Sequence, residues 1–447
     1  MGRAIVVEFC QPALRPLPEP SYGFPRLGSY AWPVTVVLHD STAAPTLSPG
    51  RLTRQRLDHV DAMRPVKQIG VVATHSLVAF APAGSGLAAG ATLMLLHVTR
   101  EAFLFISACM LTYSYYDLKR SELRRFWRRR FVTVGIPYLC WTLIYFAVGI
   151  PGSNRSATGE LAHLGFLVLT GYYQLYFLVV LLQFYLLFPL FVWLLRRTTG
   201  RHALVFAVSC ALEVAYLALM RWHVLPPGLR NFDASREIMS YQFYLVAGAL
   251  AAVHYREFDA WVRRHRRGII AAAVVTAAAS ELWYFVQGTH TVHLGSGLAS
   301  DPFQPITVPY NVAAILVIYL IGVALVSPAR SRRTVVLAHV GSDDSYGVYL
   351  SQMLFIDALV ALGWGHLSRV IPWPVLLLIT VAGVFLLSCV LTEVLARTPI
   401  AEWLTGRKQE PWHTLVPGWV RRRTTASAPK EAPDAPPPSA LDVQDPI

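Results

Sequence analysis

Residues 61–75 read Asp61-Ala-Met-Arg64-Pro-Val-Lys-Gln-Ile-Gly-Val-Val-Ala-Thr-His75, and they carry three ionisable side chains into the first apolar segment of membrane length. Arg64 and His75 are eleven positions apart, which at about 100° per residue places them within roughly 20° of one another on a helix. Asp61 precedes Arg64 by three positions and therefore lies on the same stripe. At about 1.5 Å per residue, His75 lies roughly 16 Å beyond Arg64, near the middle of a hydrocarbon layer about 30 Å thick.

A histidine at that depth is costly unless it has polar partners, which makes His75 a candidate functional residue. The alternative is a buried histidine that is tied to a neighbouring helix and has a purely structural role. The residue alone does not distinguish these two interpretations.

Composition indicates a membrane protein. Of 447 residues, 54% are hydrophobic and 15% are charged, and the mean hydropathy is +0.44. The apolar residues occur in blocks that are long enough to cross a bilayer. We predict an all-α polytopic membrane protein with about ten transmembrane helices, at residues 66–82, 89–115, 131–150, 171–195, 203–222, 238–255, 268–286, 306–326, 345–362 and 373–396. The apolar stretch 161–170 is interpreted as a short interfacial or re-entrant piece.

The distribution of Lys and Arg predicts the orientation of these helices. With the N-terminus in the cytosol, 33 of the 39 Lys and Arg residues fall on the cytosolic side and five on the other side, as the positive-inside rule requires. Both termini are therefore predicted to be cytosolic. The formal net charge of +13 is then a signal of topology and of contact with anionic lipid, and no nucleic-acid partner is expected.

Three domains are predicted. Residues 1–60 contain many prolines and are interpreted as a disordered cytosolic extension, residues 61–400 as the membrane domain, and residues 401–447 as a Pro-rich, disordered cytosolic tail. The five cysteines form neither a CxxC pair nor a metal-ligand spacing, so we expect no disulfide and no bound metal.

The second predicted span carries its own polar residues. Arg100 and Glu101 lie near mid-depth, and because adjacent residues diverge by about 100° we expect them to have partners on other helices. A carboxylate at the depth of His75 could orient its imidazole; an inter-helix polar clamp is the structural alternative. Ser107, which is followed by Ala108 and Cys109, indicates close helix packing or a contact with substrate.

Two further features lie beside the spans. The loop 119–130 is strongly basic, and it either sets orientation at acidic lipid or binds phosphates of a cytosolic cofactor. Its candidate phosphate ligands are Arg125, Arg128, Arg129 and Arg130. Tyr346 and Tyr349 lie three positions apart on one helix face, where they form an interfacial belt or a polar contact with substrate.

Together these segments resemble the acyltransferase-3 family of bacterial membrane proteins, over roughly residues 58–400. The resemblance is carried by Asp61, Arg64 and His75, by Phe105-Ile-Ser-Ala-Cys-Met-Leu111, by Phe126-Trp-Arg-Arg-Arg130 with Pro137-Tyr138, and by Ser345-Tyr-Gly-Val-Tyr-Leu350. The chain departs from the family pattern at Ala108-Cys109, where Gly-Phe is usual, and at Thr133, where another Arg is common. It has Gln352 and Gln174 where relatives have His, so proton transfer would depend more heavily on His75.

The resemblance implies a multi-pass enzyme of the bacterial plasma membrane. It implies transfer of an acyl group, most simply acetyl, from cytosolic acyl-CoA to a hydroxyl of an extracytoplasmic or exported carbohydrate or glycosylated metabolite. Acyl-CoA is then a co-substrate, and no tightly bound cofactor is expected. His75 would act as base or acyl carrier, with Arg64, Asp61 and Glu101 beside it. The basic loop would bind the donor, and Arg100, Ser107, Tyr346 and Tyr349 would contact substrate.

Two other classes of function remain open. A bundle with buried Arg, Glu and His also suits an exporter of a polysaccharide or glycolipid. A catalytically silent relative that serves as a sensor or scaffold is the other possibility, and the two Gln substitutions keep it open.

Overall fold

The computed structural model describes residues 7–8, 35–36, 57–81, 86–150, 155–222, 234–290, 300–327 and 330–412. The chain divides into two compact units, Met1–Gln55 and Arg56–Ile447. In the first unit, strand β1 (Val7–Glu8) pairs antiparallel with β2 (Thr35–Val36), and Val7 lies opposite Val36. The predictions of disorder for 1–60 and 401–447 fall mostly outside the described residues; within the described part, residues 58–60 and Ala401–Thr405 are helical.

The described part of the second unit is helical. Its α-helices in chain order are α1 (Asp58–Phe80), α2 (Gly86–Leu96), α3 (Val98–Tyr115), α4 (Leu123–Arg130), α5 (Ile136–Gly149), α6 (Ala157–Thr170), α7 (Tyr176–Arg197), α8 (His202–Arg221), α9 (Gln242–Val253), α10 (Tyr255–Arg264), α11 (Arg266–His290), α12 (Thr307–Leu325), α13 (Arg332–Ala361), α14 (Trp373–Ala396) and α15 (Ala401–Thr405). Short 3₁₀ turns lie at Arg120–Glu122, Tyr173–Leu175, Ala234–Arg236, Ile238–Tyr241 and Trp364–Arg369, and a π-helix lies at Phe131–Gly135.

Seven helical stretches among the described residues are long and apolar enough to cross a membrane. They are Gly86–Tyr115, Arg120–Gly149, Ala157–Arg197, His202–Arg221, Arg266–Gln287, Thr307–Leu325 and Trp373–Ala396. Each contains or overlaps one of the ten predicted spans, to within one residue at either end. The other three predicted spans fall on α1 and α13, which carry charged and polar side chains, and on the shorter apolar stretch Ile238–Val253. The stretch 161–170 lies within α6, which a glycine turn joins to α7.

The surface of the bundle is apolar. Leu169 is 77% exposed, Leu378 70% and Val275 66%. Contiguous exposed aliphatic side chains are unfavourable in water, and they mark surfaces that contact lipid or another apolar partner. The surface therefore agrees with a lipid environment.

Helix α1 lies at the centre of the bundle and packs against α2, α3, α12, α13 and α14. Its neighbour α3 packs closely on α9, where a Cβ on Gly248 would lie 2.2 Å from the carbonyl oxygen of Phe105. Another side chain at Gly248 would push the two backbones apart, as expected for small residues in membrane helix packing. The buried cores on both sides of the bundle include residues of α1 and α3.

Three irregular points shape the interior. The second predicted span is interrupted at His97, between α2 and α3. The π-helix Phe131–Gly135 offsets α5 from α4, and such π turns are frequent at functional sites. Between α6 and α7, Gly171 has a φ of +84°, and a Cβ there would lie 2.4 Å from backbone atoms of Tyr176. Glycine is therefore required at this turn.

Candidate functional site

A cavity of about 830 Å³ lies beside the first half of α1. Its walls come from α1, α3, the π-helix, α7, α13 and the segment that follows α14. We call it the inner cavity, because this end of α1 is predicted to be cytosolic. Among its lining residues are Arg64, Lys67, Ser107, Arg130 and Tyr346. Four of these five are candidate site residues from the sequence, and the fold brings them together.

Arg64 and Asp61 form an ion pair across one turn of α1. Arg64 Nη2 lies 3.5 Å from Asp61 Oδ1, and Asp61 is buried. The pairing follows from their spacing of three residues. Asp61 therefore orients Arg64, which lines the inner cavity.

The basic loop contributes one arginine to the inner cavity. Arg125, Arg128 and Arg129 are exposed on α4 and are not among the lining residues, whereas Arg130 is half-buried and lines the cavity. The guanidinium carbon of Arg130 lies 5.0 Å from the centre of the Tyr115 ring, in cation–π range. Arg125, Arg128 and Arg129 do not line this cavity, so their role as phosphate ligands stays a prediction that the cavity does not support.

The π-helix that follows Arg130 contacts α13. Tyr346, a candidate substrate contact, donates a hydrogen bond from its hydroxyl to the carbonyl oxygen of Val134 at 3.2 Å. Thr133 lines the cavity, at the position where relatives often have an additional Arg. The hydroxyl of Thr133 donates to the carbonyl of Arg129 at 2.8 Å.

Residues 405–411, which we call the C-terminal segment, form another wall of the inner cavity. Arg407 holds this segment in place: its guanidinium lies 2.5 Å from Asp344 Oδ1, 3.0 Å from Glu393 Oε1 and 2.7 Å from Glu410 Oε1. Burial alone would lower the pKa of Arg407, but the bond to Glu410 and the charges of Asp344 and Glu393 outweigh burial and raise this pKa. The sequence carries no periodic signal for this fold-back.

His75 lines a different cavity, of about 530 Å³. We call it the outer cavity; besides His75 it is lined by His163, Tyr173, Arg236 and Asp357, among others. Arg64 and His75 share the stripe of α1 that faces the cavities, as their spacing predicts. Arg64 nevertheless faces the inner cavity and His75 the outer cavity, and the two cavities lie towards opposite ends of α1.

His75 is half-buried and has an aromatic neighbour. Its ring centre lies 5.4 Å from that of Tyr173, and its Nδ1 is buried without a hydrogen-bond partner among the described residues. A buried ring nitrogen with no partner is available to a ligand that enters the cavity. His97 has a buried Nδ1 of the same kind, at the break between α2 and α3.

Arg100 and Glu101 lie in neither cavity. Arg100 Nη2 lies 3.5 Å from Glu101 Oε1, and the guanidinium carbon of Arg100 lies 4.7 Å from the centre of the Phe303 ring. These adjacent residues therefore contact one another, and Arg100 also contacts the rings of Tyr241 and Phe303 from other parts of the chain.

Tyr349 lies on α13 between the residues that line the two cavities. Its hydroxyl donates a hydrogen bond to the carbonyl oxygen of Gln174, and its ring packs against Phe103 and Phe177. Gln352, one turn further along α13, is fully buried, and its side-chain amide makes no hydrogen bond with the described residues.

Several residues of both cavities were not predicted from the sequence. Lys67 carried a usable signal, since it lies three positions after Arg64 on the same helix. Arg407 and Lys408 fall in a polar segment, and Arg236 and Asp357 lie far apart along the chain. Nothing in their local sequence distinguishes these four from ordinary loop or helix residues.

The structure is that of a helical membrane protein that has basic side chains in the inner cavity and a histidine in the outer cavity. A family model described as "Acyltransferase domain" matches residues 58–393. The chain therefore belongs to the acyltransferase-3 family, and membership of this family supports a membrane acyltransferase. Comparisons with curated proteins and with solved structures return no match.

Proposed function

We propose that this protein is an O-acyltransferase of the bacterial plasma membrane. It moves an acyl group, most simply acetyl, from cytosolic acyl-CoA to a hydroxyl of an extracytoplasmic or exported carbohydrate or glycosylated metabolite. The observation that carries the proposal is the pair of cavities along α1, with Arg64 in one and His75 in the other. We also propose ten membrane crossings with both termini in the cytosol, so that the inner cavity opens towards the donor.

The inner cavity suits the donor because it combines positive charge with room. Arg64, Lys67, Arg130 and Lys408 line it, and cationic side chains bind phosphate groups strongly. From the level of Arg64 to that of His75 the helix rises roughly 16 Å. In the proposed arrangement the acyl arm of the donor extends along α1 towards His75, while the nucleotide part stays in the inner cavity.

The outer cavity suits a hydroxylated acceptor. Tyr172 and Tyr173 provide ring faces, and Asp357 provides a carboxylate that can accept hydrogen bonds from hydroxyl groups. Sites with apolar walls and a few converging polar groups are typical of small-molecule binding. A carbohydrate hydroxyl in this cavity would lie beside the imidazole of His75.

In the proposed reaction His75 acts as general base. It takes the proton of the acceptor hydroxyl while the hydroxyl oxygen bonds to the carbonyl carbon of the thioester. The carbon–sulfur bond then breaks, and the protonated His75 returns the proton to the leaving thiolate. The buried Nδ1 without a partner supports this role. General acid–base catalysis of this kind contributes about 10²–10⁴-fold to rate.

The test is acyl transfer by purified protein in liposomes, with labelled acetyl-CoA and a panel of glycan acceptors. His75→Ala should lower the rate of transfer by about 10²–10⁴-fold. His265→Ala is the matched control, because His265 is exposed and lines neither cavity. Near-normal transfer by the His75 variant would remove this histidine from the mechanism.

Export of a glycan is the second candidate function. The observation that favours it is the break at His97 within the second predicted span, because discontinuous helices are common in transporters. Vesicles that accumulate a glycan without acyl-CoA would support export. Acyl incorporation without net movement of the glycan would support the enzyme.

A further inference from the structure

Lys67 is a buried cation on the wall of the inner cavity. Its exposure is 3%, and it lies one turn after Arg64 on α1. Its Nζ donates a hydrogen bond to Gln68 Oε1 at 3.0 Å and lies 3.8 Å from the centre of the Phe103 ring. An amide oxygen and a ring face are the contacts that stabilise its charge.

No carboxylate of the described residues forms an ion pair with Lys67. The nearest acidic residue along α1, Asp61, is already paired with Arg64. A buried ammonium without an anion is unfavourable, since burial removes its hydration and neutral contacts restore only part of it. The cost is offset when an anion enters the cavity, and in a site shielded from water the attraction is strong.

Arg130 repeats this pattern on the π-helix side of the same cavity. It lies within cation–π distance of Tyr115 and Tyr185, at 5.0 and 5.8 Å, and its Nε has no hydrogen-bond partner among the described residues. Arg407, in contrast, is paired with three carboxylates. Lys67 and Arg130 are therefore two basic side chains that face one space and form no ion pair with a carboxylate of the described residues.

We propose that Lys67, together with Arg130, forms the anion-binding centre of the inner cavity and binds phosphate groups of the donor. The inference rests on the proposed function and deepens it, because it assigns donor binding to these two cations and not to the exposed arginines of α4. Lys67 provides a point charge and Arg130 a planar fork, two complementary ways of binding phosphate oxygens.

This assignment predicts opposite effects of one substitution on stability and on binding. Lys67→Met keeps most of the length and apolar character of the side chain and removes its charge. The unliganded variant should be at least as stable as the wild type, because replacing a buried charge with an apolar group is often neutral or stabilising. Its affinity for the phosphate ligand should fall about tenfold to a hundredfold, the loss expected for a hydrogen bond to a charged group. A merely structural Lys67 predicts the reverse: lower stability and unchanged affinity.

The experiment measures thermal unfolding and ligand binding of the full chain in detergent, with free CoA and with inorganic pyrophosphate as probes. Lys67→Met, Lys67→Arg and the control Lys119→Met are compared, since Lys119 is exposed outside the cavity. Both probes should protect the wild type and the control from unfolding. They should protect Lys67→Met little, and Lys67→Arg should restore part of the protection.

The outcomes separate this inference from the proposed function. Protection by pyrophosphate but not by CoA, lost in Lys67→Met, supports the anion site and removes acyl-CoA as donor. Equal protection of wild type and Lys67→Met, or no protection of either, overturns the inference. Parallel unfolding in nanodiscs with and without phosphatidylglycerol tests a lipid source. If only the anionic lipid stabilises the protein through Lys67, the site binds a lipid headgroup and its assignment to the donor is wrong.

Discussion

Replacing Arg407 with Gln should destabilise the protein and loosen one wall of the inner cavity. The guanidinium of Arg407 joins Asp344 on α13, Glu393 on α14 and Glu410 in the C-terminal segment. The contacts with Asp344 and Glu393 link the segment to the bundle, and the contact with Glu410 lies within the segment. Gln at this position is neutral and too short to reach all three carboxylates.

The expected cost follows from the burial of each carboxylate. The side chain of Asp344 is 1% exposed, whereas those of Glu393 and Glu410 are 23% and 19% exposed. Removing one partner of a buried ion pair costs about 3–5 kcal/mol, because the remaining charge is left uncompensated. Only Asp344 is fully buried here, so we expect the lower end, about 3 kcal/mol.

Unfolding in mixed detergent micelles, followed by tryptophan fluorescence, measures this free energy. Lys408→Gln is the control for stability: Lys408 is adjacent and exposed, and such changes usually alter stability by less than about 0.5 kcal/mol. Combining Arg407→Gln with Asp344→Asn should cost less than the sum of the single changes, by about 1–3 kcal/mol. A stability of Arg407→Gln within about 0.5 kcal/mol of wild type would refute a buried network.

Three further outcomes are expected. Arg130→Gln should raise the donor concentration needed for half-maximal transfer about tenfold, while Arg128→Gln should leave it nearly unchanged; equal effects in a steady-state assay would return the loop to a general electrostatic role. Gly248→Val should destabilise the helix pair by more than about 1–3 kcal/mol in the same unfolding assay, because its Cβ would overlap the carbonyl oxygen of Phe105; a wild-type free energy would contradict this close approach. His59, which precedes the first predicted span, has a pKa lowered by burial. As pH falls, His59 therefore takes up a proton in the unfolded chain before it does so in the folded chain, and the free energy of unfolding should decrease below about pH 6.5. A thermal midpoint that does not change from pH 7.5 to 5.5, or that changes equally in His59→Gln, would contradict this prediction.

Much of the helical architecture could be predicted from hydropathy. Seven of the ten predicted spans coincide with helices that are long and apolar enough to cross a membrane. The spans on α1 and α13 are helical, but their polar residues reduce the hydropathy on which such an assignment depends. The spacing of three placed Asp61 and Arg64 on one stripe of the helix, and the structure shows that these two neighbours form an ion pair.

The membership of the candidate site was less predictable. Arg130 is adjacent to Arg129, yet only Arg130 reaches the inner cavity, because the chain turns into the π-helix at this point. Arg100 and Glu101 were expected to have partners on other helices; Arg100 contacts the rings of Tyr241 and Phe303 and also Glu101, a contact that their spacing in the sequence does not reveal. The spacing of residues in the sequence gives the direction in which a side chain leaves the helix axis. It gives neither the rotamer of that side chain nor the residue of another helix that packs against it.

The sequence alone determined that the chain lies in a membrane and where most of its helices lie, because the length and apolarity of a segment depend only on consecutive residues. It also placed Arg64 and His75 on one stripe, as this follows from helical geometry. Only the tertiary structure decided that two cavities divide this stripe, with Arg64 and Lys67 in one and His75 in the other. The physical reason is that a cavity is made by what other helices leave unfilled, and those helices come from distant parts of the chain.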